Sequence, residues 1–489
     1  MNLAEHVLTA GLASPDKLAM SIVGLSRADR WSYARLRQAV LGTATGLLDA
    51  GLRPGDRLLM RLGNTPAFPV TYLAAIAAGI IPVPTSAMLT AREITALAQV
   101  VRPAAIVADR GVALPDDPAP VIPAEKLSEF AALPPARFQQ GDPDRLAYIV
   151  FTSGTSGKPR AVCHAHRAIL ARQMMFQGWY GLTPSDRLLH AGAFNWTFTL
   201  GTGLMDPWTM GATALIPADG TTPEQIPLLA SRHGATLIAA APGVFRRMLR
   251  ADWAPWPGLR HGLTAGERLD PALRADWLQR TGSDLHEAMG MSECSTFLSG
   301  SPARPAPLGT AGFPQPGRRI AILTEAGEEA PVDEAGELAV HRLDPGLFLG
   351  YLDQPEDTAA RYRGDWFLTG DLARAAADGA ITTLGRGDDM MNAGGFRVSP
   401  GEVEDALALV PGVGDIAATE IPVAHGASVI AAFWTGPATR AQMEAAGAAS
   451  LARYKQPREY IHLEALPRTA TGKINRRALR DAHRKDLVQ

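Results

Sequence analysis

The sequence predicts an α/β protein built as one large unit and one small one. Short, continuous apolar runs alternate with Ala- and Leu-rich helical stretches through the first half of the chain, and the texture then changes twice. The runs Arg57–Arg61, Ala104–Ala108, Leu146–Phe151, Arg187–Ala191, Ala212–Pro217 and Thr236–Ala240 are spaced by helix-length segments. Such a pattern belongs to parallel strands covered on both faces. From Ala321 the strands become shorter and turn-separated, as at Glu337–His341 and Ala380–Leu384, so an all-β appendage is expected there. At Gly385-Arg386-Gly387-Asp388-Asp389 two glycines and two acids supply the flexible backbone of a hinge. The expected domains are 1–384 and 390–489, joined by 385–389.

Within the last part, Ser399-Pro400-Gly401-Glu402 matches a capping box with proline at the first helical position. Val403, Ala406, Leu407 and Val410 then repeat at helical spacing, and Pro411-Gly412 stops that helix. Ile416–Ile421 and Val429–Trp434 read as strands, which makes this a small α/β domain. The Pro- and Ala-rich segment Ala113–Pro135 reads as a surface connection. No charge occurs between Arg61 and Arg92, but Pro66, Pro69, Pro82 and Pro84 leave Thr71–Ile81 as the longest candidate helix there. That is shorter than the roughly 20 residues a bilayer span requires. It reads instead as a buried helix feeding a strand at Ile80–Val83, and no membrane span is expected.

Composition narrows the function. The 489 residues are 46% apolar and 20% charged, which excludes disorder. Lys and Arg total 47 against 49 Asp and Glu, a net charge of -2, so the field that drives nonspecific nucleic-acid binding is absent. With Cys163 and Cys294 as the only cysteines, neither a disulfide framework nor a cysteine-rich metal site is expected. Glu5 and His6 fall where a secretory signal would be basic and then apolar, so a reducing cytoplasm is the expected setting.

The strongest motif is the apolar strand from Tyr148 that runs into Thr152-Ser153-Gly154-Thr155-Ser156-Gly157-Lys158-Pro159. Glycines let backbone N–H groups curl into an anion-binding nest, the hydroxyls add donors, and Lys158 adds a point charge. It is not a Walker A loop, because only two residues separate Gly154 from Gly157 and a proline follows the lysine.

This loop resembles the signature of the acyl-adenylate-forming superfamily, which contains acyl-CoA synthetases, adenylation domains of peptide synthetases and firefly luciferase. Further family elements follow in order: Ala265-Gly-Glu267, Met289-Gly-Met-Ser-Glu293, Gly336-Glu-Leu338, Thr369-Gly-Asp371, Gly385-Arg-Gly-Asp-Asp389, Gly394-Gly-Phe-Arg397 and Pro467-Arg-Thr-Ala-Thr-Gly-Lys-Ile474. The resemblance implies a large α/β domain with a small barrel-like subdomain and a mobile C-terminal lid. It implies ATP, magnesium and coenzyme A as the partners of a small carboxylic acid, and leaves a homo-oligomer open.

Residue by residue, the resemblance makes Glu293 the magnesium ligand, a hard carboxylate for a hard cation, and sets the Ser292 hydroxyl against the α-phosphate. Asp371 holds the ribose with Arg386 nearby. Ala265, Gly266 and Glu267, with Glu287, Ala288 and Met289, resemble the walls of an adenine slot. Lys473 is the expected catalytic cation of adenylation, where charge builds as pyrophosphate leaves. Asp388 matches the hinge, and Gly394, Gly395 and Arg397 match the pantetheine tunnel of the thiol-transfer pose.

The acyl pocket is expected around Phe194, Asn195 and Trp196. Asn195 stands where amino-acid-activating relatives carry Asp, which disfavours an amino-acid substrate. Gly290 replaces the tryptophan that shortens the pocket of acetate-specific relatives, so a larger acyl group is expected, and a tryptophan there would restore the preference for small acids. The residues after Glu293 resemble benzoate-type ligases. The expected activity is therefore an AMP-forming acid:CoA ligase for an aryl or short-to-medium-chain acid. Two other readings stay open: an adenylation enzyme that loads a carrier protein in trans, and an inactive nucleotide-binding regulator.

Overall fold

A computed structural model describes residues 1–153, 159–253, 256–387, 391–393, 396–422, 428–451, 453, 455–469 and 472–485. The chain divides into two compact units, Met1–Ile320 with Val340–Phe367, and Ala321–Ala339 with Leu368–Gln489.

The first unit is organised around a nine-stranded sheet. Its central strands, Leu285–Met291, His261–Ala265, Leu237–Ala240, Arg187–His190, Thr213–Pro217 and Leu18–Val23, run parallel in that order. Antiparallel strands close both edges. Burial on both faces explains the continuous apolar runs. Leu189 and Ile238 pack with Phe245, Met248 and Trp277 on one side. Their neighbours Leu188, Leu237 and Ala239 pack with Trp179, Tyr180 and Phe198 on the other. A second sheet, Ile81–Pro84, Arg57–Arg61, Ala105–Ala108 and Val121–Pro123, is wholly parallel.

Three expectations are corrected in this unit. Leu146–Phe151 is not a parallel strand: Leu146–Ser153 pairs antiparallel with Pro159–Ala165. The apolar helix spans Ala67–Ala77, because Pro69 falls in the first turn, where its missing N–H has no intrahelical acceptor to lose. It ends before Gly79, whose φ of 76° suits glycine, and the strand begins at Ile81. The segment from Ala113 to Pro135 is partly ordered structure, with the strand Val121–Pro123 and a helix Lys126–Ala131.

A buried ion pair braces the interior. Arg172 donates to both carboxylate oxygens of Asp206, at 2.8 and 2.6 Å, and to the Ser295 hydroxyl at 2.7 Å. Its guanidinium occupies the space into which a side chain at Gly201 would project, which accounts for that glycine. Burial alone would lower the Arg172 pKa, but Asp206 and Tyr180 outweigh it and raise it.

The second unit carries an antiparallel pair, Ile416–Pro422 and Ser428–Trp434, extended in parallel by Glu459–His462. Val403 and Leu407 from the helix Pro400–Ala408 pack with Met443, Trp434 and Tyr460. Leu466 and Leu479 pack with Ala417, Ile421 and Phe433. The expected capping box at Ser399 is not formed, because the hydroxyl donates instead to the Leu384 carbonyl. Strands do follow residue 320, including Gly336–His341 and Ile381–Arg386, but Trp366–Ala375 runs to 10 residues and is not short. No helix among the described residues is long and apolar enough to cross a membrane.

Removing one partner of a buried ion pair strands the other charge in low dielectric. Asp206→Ala is therefore expected to destabilise the protein by about 3–5 kcal/mol, read as a lowered denaturation midpoint.

Candidate functional site

The hydroxyl- and glycine-rich loop lies at the end of a β-hairpin. The register Thr152↔Arg160 and Ser153↔Pro159 brings the two arms together on either side of it. Gly154, Thr155, Ser156, Gly157 and Lys158 lie outside the described residues, as does the Ser153 side chain, so what is described is the frame that carries them.

That frame is tied to Glu293 by one short segment. Gly350 and Tyr351 pair with Cys163 and Val162 on the returning arm. The Leu349 and Leu352 N–H groups donate to the Cys163 and Ala161 carbonyls at 2.8 and 2.9 Å. Phe348 N–H donates to the Glu293 carbonyl at 2.8 Å, and the Tyr351 hydroxyl donates to Glu293 Oε1 at 2.7 Å. His164, also on the returning arm, donates from Nε2 to the Ser292 carbonyl at 2.7 Å. Ser292 and Glu293 are thus held against the hairpin, with the Glu293 carboxylate buried.

Beside this turn, Ala265 at the end of its strand pairs with Ala288 in the middle of Leu285–Met291. Gly266 has a φ of 95°, and a Cβ there would lie 2.7 Å from the Trp196 ring, so the indole lies directly over that backbone. Trp196 meets Phe198 edge to face at 5.0 Å, and Phe194 is buried against Phe68 at 5.7 Å. Asn64 anchors the stretch, accepting from Phe194 N–H and donating to the Gly192 carbonyl, both at 2.9 Å. Asn195 is half-buried. Beneath Phe198 the buried His190 imidazole and Thr199 hydroxyl have no hydrogen-bond partner among the described residues. Burial pushes the His190 pKa down to about 3, so it is neutral.

Glu287 alternates to the face opposite Ala288. Burial pushes its carboxyl up to about 7, against the pull of the Leu269 N–H and of Arg268 and Arg274. Met289 and Glu267 are half-buried.

The reading of Gly290 as open pocket is corrected. A Cβ there would lie 2.6 Å from the Thr296 Cα and would also strike the Ser295 backbone, because the strand Ser295–Ser299 folds back across it at a bulge. Glycine is present to let two backbones meet.

The second unit holds its own cluster. Asp371 and Arg386 are cross-strand partners, with Arg386 Nη1 at 3.7 Å from Asp371 Oδ2 and 3.0 Å from the Thr369 carbonyl. Lys473 is exposed in a tight turn closed by Thr469 N–H to the Lys473 carbonyl at 2.7 Å. Asp388, Gly394 and Gly395 lie outside the described residues, as does the Arg397 side chain.

Two family models match this chain: the AMP-binding enzyme over residues 9–352, and the AMP-binding enzyme C-terminal domain over 402–473. The chain belongs to the AMP-binding enzyme family. This AMP-binding enzyme is 29% identical to a 3-hydroxybenzoate–CoA ligase of Aromatoleum sp. (strain CIB), covering 98% of this chain and 97% of the relative. It is 30% identical to the mitochondrial acyl-coenzyme A synthetase ACSM5 of Mus musculus, covering 92% and 84%. Among solved structures, it matches a benzoate CoA ligase from Burkholderia xenovorans LB400 with a TM-score of 0.87, 26% identity, and coverage of 98% and 100%. It also matches ATP-bound MatB from Rhodopseudomonas palustris with a TM-score of 0.89 and 25% identity over both full chains.

The AMP-binding enzyme's residues fit a nucleotide-borne cation. Magnesium takes one or two protein carboxylates and completes its shell with phosphate oxygens and water, and Glu293 offers one buried carboxylate beside the loop's frame. Sequence reasoning passed over Tyr351, His164 and Asn64. Their roles are contacts across long sequence separations, such as the 58 residues between Tyr351 and Glu293, and no spacing pattern marks them.

Gly290→Trp is therefore expected to lower the thermal unfolding midpoint, at about 1–3 kcal/mol of overpacking, without moving acid preference toward acetate. A second expectation concerns pH. Burial pulls His164 from 6.5 down to about 4, although its bond to Ser292 opposes the shift. The unfolded chain binds the extra proton between these values, so stability should fall as pH drops from 6.5 towards 4. Denaturation midpoints across that window should vary less in His164→Asn.

Proposed function

We propose that this AMP-binding enzyme is an AMP-forming acid:CoA ligase that activates an aryl or short-to-medium-chain carboxylic acid. The observation that carries the reading is similarity along nearly the whole chain to relatives named as CoA ligases. The carboxylate locked beside the phosphate-loop frame supports it. In the first half-reaction an acid oxygen attacks the α-phosphorus of ATP, the bond to the bridging oxygen breaks, and pyrophosphate leaves with the electron pair. In the second, the coenzyme A sulfur attacks the acyl carbon and AMP leaves.

In this reading the loop from Thr152 to Lys158 cradles the phosphates, with the Ser292 hydroxyl on the α-phosphate. Bound to Glu293, magnesium would neutralise phosphate charge. Asp371 and Arg386 hold the ribose, while Ala265–Glu267 and Glu287–Met289 border the adenine. Lys473 supplies a cation where charge develops in the transition state. Rotation about Asp388, within a hinge at 385–389, exchanges Lys473 for Gly394, Gly395 and Arg397, which admit the thiol. The enzyme works in the cytoplasm. Phe194, Asn195 and Trp196 line the acid pocket, and the unpartnered His190 and Thr199 favour a ring carrying a polar substituent over a plain alkyl chain.

Pyrophosphate release with free coenzyme A, measured across aromatic, branched and linear acids, tests the reading. Turnover of a hydroxylated benzoate is expected, and silence across the panel would remove the assignment. Lys473→Ala should slow adenylation by about 100- to 1000-fold yet still convert a supplied acyl-adenylate to thioester. Equal losses in both half-reactions would refute that role for Lys473.

A further inference from the structure

We propose that Tyr351 is the positioning residue that orients the Glu293 carboxylate towards the nucleotide's cation. The proposal rests on the reading of Glu293 as the cation's carboxylate, and it assigns the side chain that makes that role possible.

A carboxylate this buried must have its orientation and solvation supplied by the protein. Among the described residues Tyr351 is the side chain that does so, donating from its hydroxyl to Oε1 at 2.7 Å. Oε2 accepts no hydrogen bond from any described residue. A neutral donor differs from an ion pair in one decisive respect: it fixes the rotamer but leaves the full negative charge for a cation. Arg160, whose guanidinium lies 5.0 Å over the Tyr351 ring, directs its charge to Asp357 at 3.4 Å.

Tyr351 is itself immobilised. Its N–H donates to the Thr358 hydroxyl at 2.9 Å, its ring meets Phe348 edge to face at 5.0 Å, and its backbone pairs with Val162. Val162 lies on the arm that returns from the phosphate loop. The hydroxyl therefore sets Glu293 relative to the described arms of the hairpin, Leu146–Ser153 and Pro159–Ala165.

The test is Tyr351→Phe, which removes a single oxygen. Manganese binding to the full chain, with ATP present and acid omitted, is read by electron paramagnetic resonance. Its dissociation constant should rise about tenfold or more. The magnesium needed for half-maximal pyrophosphate exchange should rise in parallel, with the loss repaired by excess metal. Thioesterification of supplied acyl-adenylate should stay near wild type, while the unfolding midpoint should fall modestly because a buried carboxylate oxygen loses its donor. Wild-type manganese affinity in Tyr351→Phe, beside weakened affinity in Glu293→Gln, overturns the proposal and leaves the reading of Glu293 standing. Wild-type affinity in Glu293→Gln itself overturns that reading, and this proposal with it. In a Glu293→Gln background Tyr351→Phe should add no further loss, and an independent additional loss would show that the hydroxyl acts elsewhere.

Discussion

The segment from Phe348 to Leu352 is the contact on which the rest of the candidate site depends. Its N–H groups reach in two directions, to the Glu293 carbonyl on one side and to Ala161 and Cys163 on the other. The strands flanking Glu293 and the hairpin arms Leu146–Ser153 and Pro159–Ala165 belong to different sheets, so nothing in either ladder fixes one relative to the other. Each such bond is worth only about 1 kcal/mol net, but leaving its buried donor unmet costs more. The clip therefore resists local opening more strongly than any one bond suggests, which under the role proposed for Glu293 is where misalignment would cost most.

Much of the large unit was legible because a strand buried on two faces has little choice of composition. Arg187–His190 and Leu237–Ala240 are apolar on both sides since each face meets its own core. The same logic misassigned Leu146–Phe151. Ile149 and Val150 are buried as deeply as any parallel strand, and burial carries no record of the direction in which a neighbour runs. The pairing is antiparallel, with Thr152 opposite Arg160 and Ser153 opposite Pro159. In a similar way, motifs carry residue type and order but no geometry. They marked Glu293 by residue type and order, but Tyr351 and His164 act through contacts that no local window contains.

Glycine shows the limit most clearly. Read from the resemblance to acetate-specific relatives, Gly290 is open volume; in the fold it is a crossing of two backbones. Gly266 makes room for the Trp196 indole, and Gly201 for the Arg172 guanidinium. All three lack a side chain because something else fills the space, and only the fold tells which of backbone, ring or charge it is.

The two units prepare their groups differently. Asp371 and Arg386 orient each other across one ladder and are partly screened from solvent before any nucleotide arrives. Lys473 stands exposed, its carbonyl accepting from the Thr469 N–H at 2.7 Å. An ammonium on a free four-carbon stem loses about 2 kcal/mol of rotamer freedom when it is immobilised. In the role proposed for Glu293, a group that grips the ground state gains from being fixed beforehand. A group whose target charge exists only as pyrophosphate departs gains from being withheld until then, because binding realised only in the transition state raises the rate rather than trapping the complex. Under the proposed roles, a carboxylate held by Tyr351 and an exposed cation are thus the arrangement that one nucleotide-activating step followed by release would favour.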